Sequence, residues 1–170
     1  MRYAKINKND IVNGDGICVS FWTQGCPHRC KGCHNPETWD WEGGKEFTPS
    51  VMRELLEAIG ANGIDRNLSI LGGEPLAYTN LLMVENVIRA AKVFYPDITI
   101  YMWTGYTYEE LDKKQKPIAD MVDYLIDGRF ELDKKDLTIG YGGSTNQRLI
   151  DIKETLKSGE VKKLDNFKKI

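Results

Sequence analysis

Cysteine and histidine are scarce in this chain, at four and two of 170 residues. So few cysteines, three of them crowded together, argue against a disulfide framework, which needs paired cysteines spread through a small chain. Both histidines, His28 and His34, fall in one short segment. Basic residues are not in excess: 23 Lys and Arg against 25 Asp and Glu give a net charge of −2. That balance removes whole-domain attraction to nucleic acid or to an anionic membrane surface. No apolar run is long enough to span a bilayer, and the opening MRYAKINKND lacks an apolar signal core. A cytoplasmic protein is expected, with no nucleic acid and no membrane as partner. No repeat, low-complexity tract or linker divides the chain, so residues 1–170 are expected to form a single domain. A composition of 41% apolar and 10% aromatic residues is enough for a buried core.

What is present is concentrated at Cys26-Pro-His-Arg-Cys30-Lys-Gly-Cys33, three of the four cysteines within eight residues. Three close thiolates read as a metal site. A cubane iron–sulfur cluster is usually held by four thiolates, so a set of three leaves one iron open for chemistry. The short C-x3-C-x2-C spacing lets one loop, about 25–36, wrap the cluster, and Pro27 restricts the turn. The competing reading is structural zinc completed by His28 or His34, since Cys3His is a common tetrahedral set. Cys18, separate from the loop, reads as a small buried hydrophobe; the alternative is a fourth ligand in an electron carrier.

The pattern around the loop alternates strand and helix. Residues 17–22 are β-branched and aromatic and run straight into the cysteines. Thr48-Pro49-Ser50 reads as a helix start before Val51, Met52, Leu55, Leu56 and Ile59 at helical spacing. A buried-type strand at 68–71 ends in Gly72-Gly73-Glu74-Pro75, and an amphipathic helix at 81–94 is stopped by Pro96. A strand at 98–103 ends in Thr104-Gly105, and Thr107 to Glu110 has capping-box form. A further strand at 122–126 ends in Asp127-Gly128-Arg129. This order implies an α/β fold with a parallel sheet, whose sites gather at the carboxyl ends of the strands. A closed eightfold barrel needs about 200 residues or more, so an incomplete, open-sided (β/α) barrel is expected.

These motifs, in this order, resemble the radical S-adenosylmethionine superfamily, whose signature is C-x3-C-x2-C followed by a Gly-Gly-Glu-Pro loop after the next strand. Gly14-Asp15-Gly16, the run from Gly25 to Pro36, Thr104-Gly-Tyr106, Asp127-Gly-Arg-Phe130 and Ser144-Thr-Asn-Gln-Arg148 narrow the resemblance to the activating enzymes of anaerobic ribonucleoside-triphosphate reductases. The resemblance implies a [4Fe-4S] cluster on Cys26, Cys30 and Cys33, with the open iron chelated by S-adenosylmethionine. It implies reductive cleavage to methionine and a 5′-deoxyadenosyl radical, which removes hydrogen from a glycine of the reductase. Gly72, Gly73 and Glu74 are then expected at the methionine end, with Gly32, Cys33 and His34 passing close to the cofactor. Thr104, Asp127 and Arg129 are expected to serve ribose and carboxylate, against a plain reading as a solvated rim. Many superfamily members carry an aromatic residue where this chain has Gly32, so adenine must find backbone or another side chain. No residue is expected to act as an acid, base or nucleophile. The implied partners are the anaerobic ribonucleotide reductase and a reduced flavodoxin- or ferredoxin-type electron donor. An activase of another glycyl-radical enzyme, such as formate lyase, or a non-catalytic iron–sulfur electron carrier are the alternatives. The run at 144–148 is expected in a supporting or partner-peptide role, and Lys157, Lys162, Lys163, Lys168 and Lys169 as a solvated face.

Overall fold

A computed structural model describes residues 1–164. Strand β1 (Arg2–Asp10) turns through a strap at 11–17 into β2 (Cys18–Thr23), and the two-residue β3 (Lys45–Glu46) precedes helix α1 (Pro49–Ile59). Then come β4 (Asn67–Gly72), α2 (Leu81–Phe94), β5 (Ile100–Trp103), the one-turn α3 (Lys116–Ala119) and β6 (Tyr124–Asp127). The last elements among the described residues are β7 (Arg148–Asp151), α4 (Ile152–Ser158) and β8 (Lys162–Lys163). Among the described residues eight strands join one sheet in the order β3-β1-β2-β4-β5-β6-β7-β8.

The centre of the sheet, β2-β4-β5-β6, is parallel, as the alternating pattern implies. Both flanks are antiparallel, so the sheet is mixed where the alternating pattern leads to a parallel one. The cause is the connections. A parallel return needs a crossover, usually a helix, to lie on the sheet face. α1 and α2 supply that, whereas segment 128–147 carries Asp133, Lys134, Lys135, Asp136 and four glycines in place of an apolar stripe. β7 therefore comes back beside β6 in the opposite sense.

Period-two alternation sorts the central strands onto two faces. Val19, Phe21, Leu68, Ile70, Ile100, Met102 and Leu125 pack under the apolar stripes of the helices to form the main core. α1 starts where its sequence marks it, with Thr48 Oγ1 accepting from Val51 N–H at 3.4 Å and Pro49 at the first helical position. α2 buries Leu81, Val84, Val87, Ile88 and Ala91 at the expected 3.6-residue period. The opposite face carries Tyr101, Ile126 and Leu149, with Trp103, Tyr124 and Tyr141 packed on them. The strap at 11–17 lies across this second face. Asn13 O accepts from Ser69 Oγ, Asp15 accepts from Tyr101 and Tyr141, and a Cβ on Gly14 would meet Cys18 Sγ at 2.7 Å. At the far end, Lys157 and Lys162 pair with Glu154 and Glu160 on the surface and Lys163 is exposed. Lys168 and Lys169 lie outside the described residues.

Candidate functional site

β2 runs out into a clasped loop. Gly25 N–H donates to Thr38 O at 2.8 Å and Cys26 N–H to Trp39 O at 3.3 Å, so the start of the loop is tied to its return. Within it, Cys33 N–H donates to Cys30 O at 3.1 Å, and Gly32 takes φ 75°, the left-handed conformation that glycine adopts without steric cost. Cys26, Cys30 and Cys33 are unbridged thiols that line one cleft of about 510 Å³. Its walls also include His28, His34, Gly72, Gly73, Glu74 and Thr104.

The donor set suits an iron–sulfur cluster. Burial first, with the charge of Glu74 adding to it, pushes the Cys26 thiol up to about 11, and burial also raises Cys30. Thiols in such a place become thiolates when a bound cation compensates the charge. Asn35 N–H already points at Cys33 Sγ, at 3.4 Å. The indole Nε1 of Trp39, another residue of the cleft wall, is buried without an acceptor among the described residues, a donor that a bound group can satisfy. Among the described residues no three His, Cys, Asp or Glu side chains are drawn onto one ion-sized point, as the tetrahedral zinc set would be. Cys18 is fully buried in β2, its Sγ facing Asp15 O at 3.5 Å, and does not line the cleft.

Glu74 is more deeply committed than the sequence suggests. Fully buried, its Oε1 accepts from Leu76 N–H at 2.9 Å and Thr104 Oγ1 at 2.8 Å, while Oε2 accepts from Gly105 N–H at 2.7 Å and His28 Nε2 at 2.8 Å. A carboxylate has about four lone-pair sites, and here four donors occupy them. Its carboxylate joins three loops. The glycines before it are needed by packing. A Cβ on Gly73 would lie 2.4 Å from Gly25 O, and one on Gly72 would lie 2.7 Å from Thr23 N. The close approach they permit is to β2 and the cysteine loop as well as to the cleft.

The rim residues divide. Thr104 lines the cleft, but its hydroxyl donates to Glu74 and accepts from Tyr106 N–H at 3.2 Å. Asp127 is fully buried and absent from the cleft wall, bonded to Arg148 and accepting from Tyr108 N–H at 2.7 Å. Arg129 is exposed and off the wall, near enough to Cys30 for its charge to lower that thiol against burial. Gly32 is also exposed and off the wall, whereas His34 lines the cleft with its ring 5.0 Å from Phe130. The run at 144–148 holds the turn after β6: Gln147 Nε2 donates to Gly128 O at 3.0 Å and Asn146 Nδ2 to Arg129 O at 2.8 Å.

Sequence reasoning missed the aromatic walls, Trp22, Trp103 and Phe130, together with Trp39. Trp22 and Trp103 were findable, because alternation from Phe21 and Met102 in the core places each on the other face. These rings and His34 line the same cleft, whereas Gly32 does not.

Fold and site define an α/β iron–sulfur domain, and residues 12–150 match the family described as 4Fe-4S single cluster domain. The chain is similar to the anaerobic ribonucleoside-triphosphate reductase-activating proteins of Pasteurella multocida (37% identity over 86% of this chain and 95% of the relative), Enterobacteria phage T4 (37%, 88% and 93%) and Escherichia coli K12 (33%, 86% and 96%). It belongs to the family of anaerobic ribonucleoside-triphosphate reductase-activating proteins.

Proposed function

We propose that this chain activates an anaerobic ribonucleoside-triphosphate reductase by generating a glycyl radical in it, using a [4Fe-4S] cluster and S-adenosylmethionine. The observation that carries the reading is that Cys26, Cys30 and Cys33 share one cleft of about 510 Å³ with Gly72 and Gly73. When bound, the two groups together supply one-electron cleavage of a sulfonium and a carbon-centred radical able to take hydrogen from a glycine. Cys26, Cys30 and Cys33 would hold the cluster through their thiolates. Backbone at Gly72 and Gly73 borders the methionine end, and Trp22, Trp103 and Phe130 keep water from the reacting centre. Val12 and Leu137, 65% and 73% exposed, stand on the cleft wall as apolar lips that suit an extended segment of the reductase. The incomplete, open-sided barrel belongs to this reading, as do a single domain, a cytoplasmic setting and a reduced flavodoxin or ferredoxin as electron source. Among the described residues no helix is long and apolar enough to cross a membrane.

The test is anaerobic reconstitution with iron and sulfide, then chemical reduction with S-adenosylmethionine and an assay for 5′-deoxyadenosine. Formation that speeds up with reductase, together with a glycyl radical signal on the reductase, supports the proposal. Iron uptake without cleavage favours an electron carrier. Hydrogen abstraction from a formate lyase glycine peptide, in preference to the reductase peptide, favours the other activase.

A further inference from the structure

We propose that His28 is a positioning residue: its bond to Glu74 holds the cysteine loop against the glycine loop and thereby sets how S-adenosylmethionine meets the cluster. The inference rests on the function proposed above. Of the four donors to Glu74, Leu76 belongs to its own loop, and Thr104 and Gly105 belong to the end of β5. Only His28 comes from the cysteine segment, and it sits between Cys26 and Cys30. Removing it would leave the glycine loop and β5 joined to each other but released from the middle of the cysteine loop.

The surroundings show a built contact. The side chains of His28 and Glu74 are 4% and 1% exposed, and the imidazole stands edge-on to Tyr106 with ring centres 4.5 Å apart. Gly105 lies directly against the imidazole, since a Cβ there would be 2.4 Å from His28 Cδ2. Backbone bonds fix the Cys26 end of the loop on their own, through Glu74 N–H to Gly25 O at 2.8 Å and Gly25 N–H to Thr38 O. The Cys30 and Cys33 end lies beyond His28 and has no such bond to the glycine loop among the described residues. His28 thus governs the distance between the later cysteines and the cofactor's methionine end. It need not be charged to do so, because a neutral imidazole protonated at Nε2 donates the same bond.

The experiment compares reconstituted wild type with His28→Ala, His28→Gln, Glu74→Gln and the His28→Ala/Glu74→Gln double variant. Iron and sulfide content, the dissociation constant of S-adenosylmethionine, and the change it causes in the electron paramagnetic resonance signal of the reduced cluster are read for each. Expected are unchanged iron and sulfide, binding weakened about tenfold with a diminished spectral change in His28→Ala, and recovery in His28→Gln, whose amide replaces the donor. The double variant should bind no worse than the weaker single variant, since both act through one contact. Wild-type affinity and spectrum in His28→Ala would overturn the inference. So would loss of iron in both His28 variants, which would make the residue a ligand or a fold support. If wild type itself takes up the cluster but does not bind S-adenosylmethionine, the proposed function fails at that earlier step and this inference with it.

Discussion

Arg148 reaches from β7 to the fully buried carboxylate of Asp127 at the end of β6, donating from Nε to Oδ1 at 2.8 Å. The same guanidinium spans outward to Glu109, with bonds of 3.0 and 2.6 Å, so one cation ties β6, β7 and the turn after β5. Removing it strands a buried charge. Arg148→Ala should therefore cost about 2–4 kcal/mol in denaturant unfolding, with Asp127→Asn in the same background recovering part of it. Equal stability of Arg148→Ala and wild type would show that Asp127 finds water or another donor.

Gly73 has backbone on the side where a side chain would go. Its Cβ would stand 2.4 Å from Gly25 O, which accepts from Glu74 N–H, and 3.0 Å from Thr38 O, which accepts from Gly25 N–H to clasp the cysteine loop. Gly73→Ala should destabilise by about 1–3 kcal/mol and lower iron loading together with cofactor binding. Sequence reasoning alone leads to weaker S-adenosylmethionine binding with iron content unchanged. Iron analysis of the reconstituted variant decides between the two.

The elements read most clearly in the sequence are those whose signal is local. β2 and β4 are continuous buried runs, and α2 carries its apolar stripe up to the stop at Pro96. β1 escaped notice because Lys5, Asn7, Lys8 and Asn9 leave Tyr3, Ile6 and Asp10 as its inward positions, too sparse for a strand pattern. The cysteines were legible because spacing alone brings them together. The role of Glu74 was not, because its donors stand 2, 30, 31 and 46 residues away and meet only through the sheet order. The pairing of Asp127 is hidden for a related reason: an acidic residue at a strand end looks available until Arg148, 21 residues later, is seen to bond it.

Asp10 should give the fold a dependence on acid. Burial pushes its carboxyl up, but hydrogen bonds from Asn13, Val12 and Ser20 outweigh burial and hold it below the usual carboxylate range. A folded value below the unfolded value of about 3.9 contributes stability that is present above that pH and lost as pH falls through the folded value. Because Asp10 anchors the strap through Val12 N–H at 2.8 Å and Asn13 Nδ2 at 2.8 Å, protonation should loosen residues 11–17 first. Hydrogen exchange between pH 5 and pH 3, about the unfolded value, should show the strap opening ahead of the central strands, and Asp10→Asn should flatten that dependence. Uniform opening would remove Asp10 as the cause.

The cysteines separate by position, and their substitution should separate in the same way. Cys26, Cys30 and Cys33 face one cleft, so Cys26→Ala, Cys30→Ala and Cys33→Ala should each lose the reconstituted cluster and all 5′-deoxyadenosine formation. Cys18 lies off the cleft under the strap, in contact range of Gly14. Cys18→Ala removes one buried sulfur, a change costing roughly 1 kcal/mol by the scale of small core truncations, and should retain cluster and cleavage. Iron and sulfide content with the visible charge-transfer spectrum reads the four variants side by side. A cluster that is lost in Cys18→Ala as well as in all three loop variants would move the fourth thiol into the ligand set. The protein would then hold a four-thiolate cluster, with no open iron for S-adenosylmethionine, and the electron-carrier reading would replace the activase.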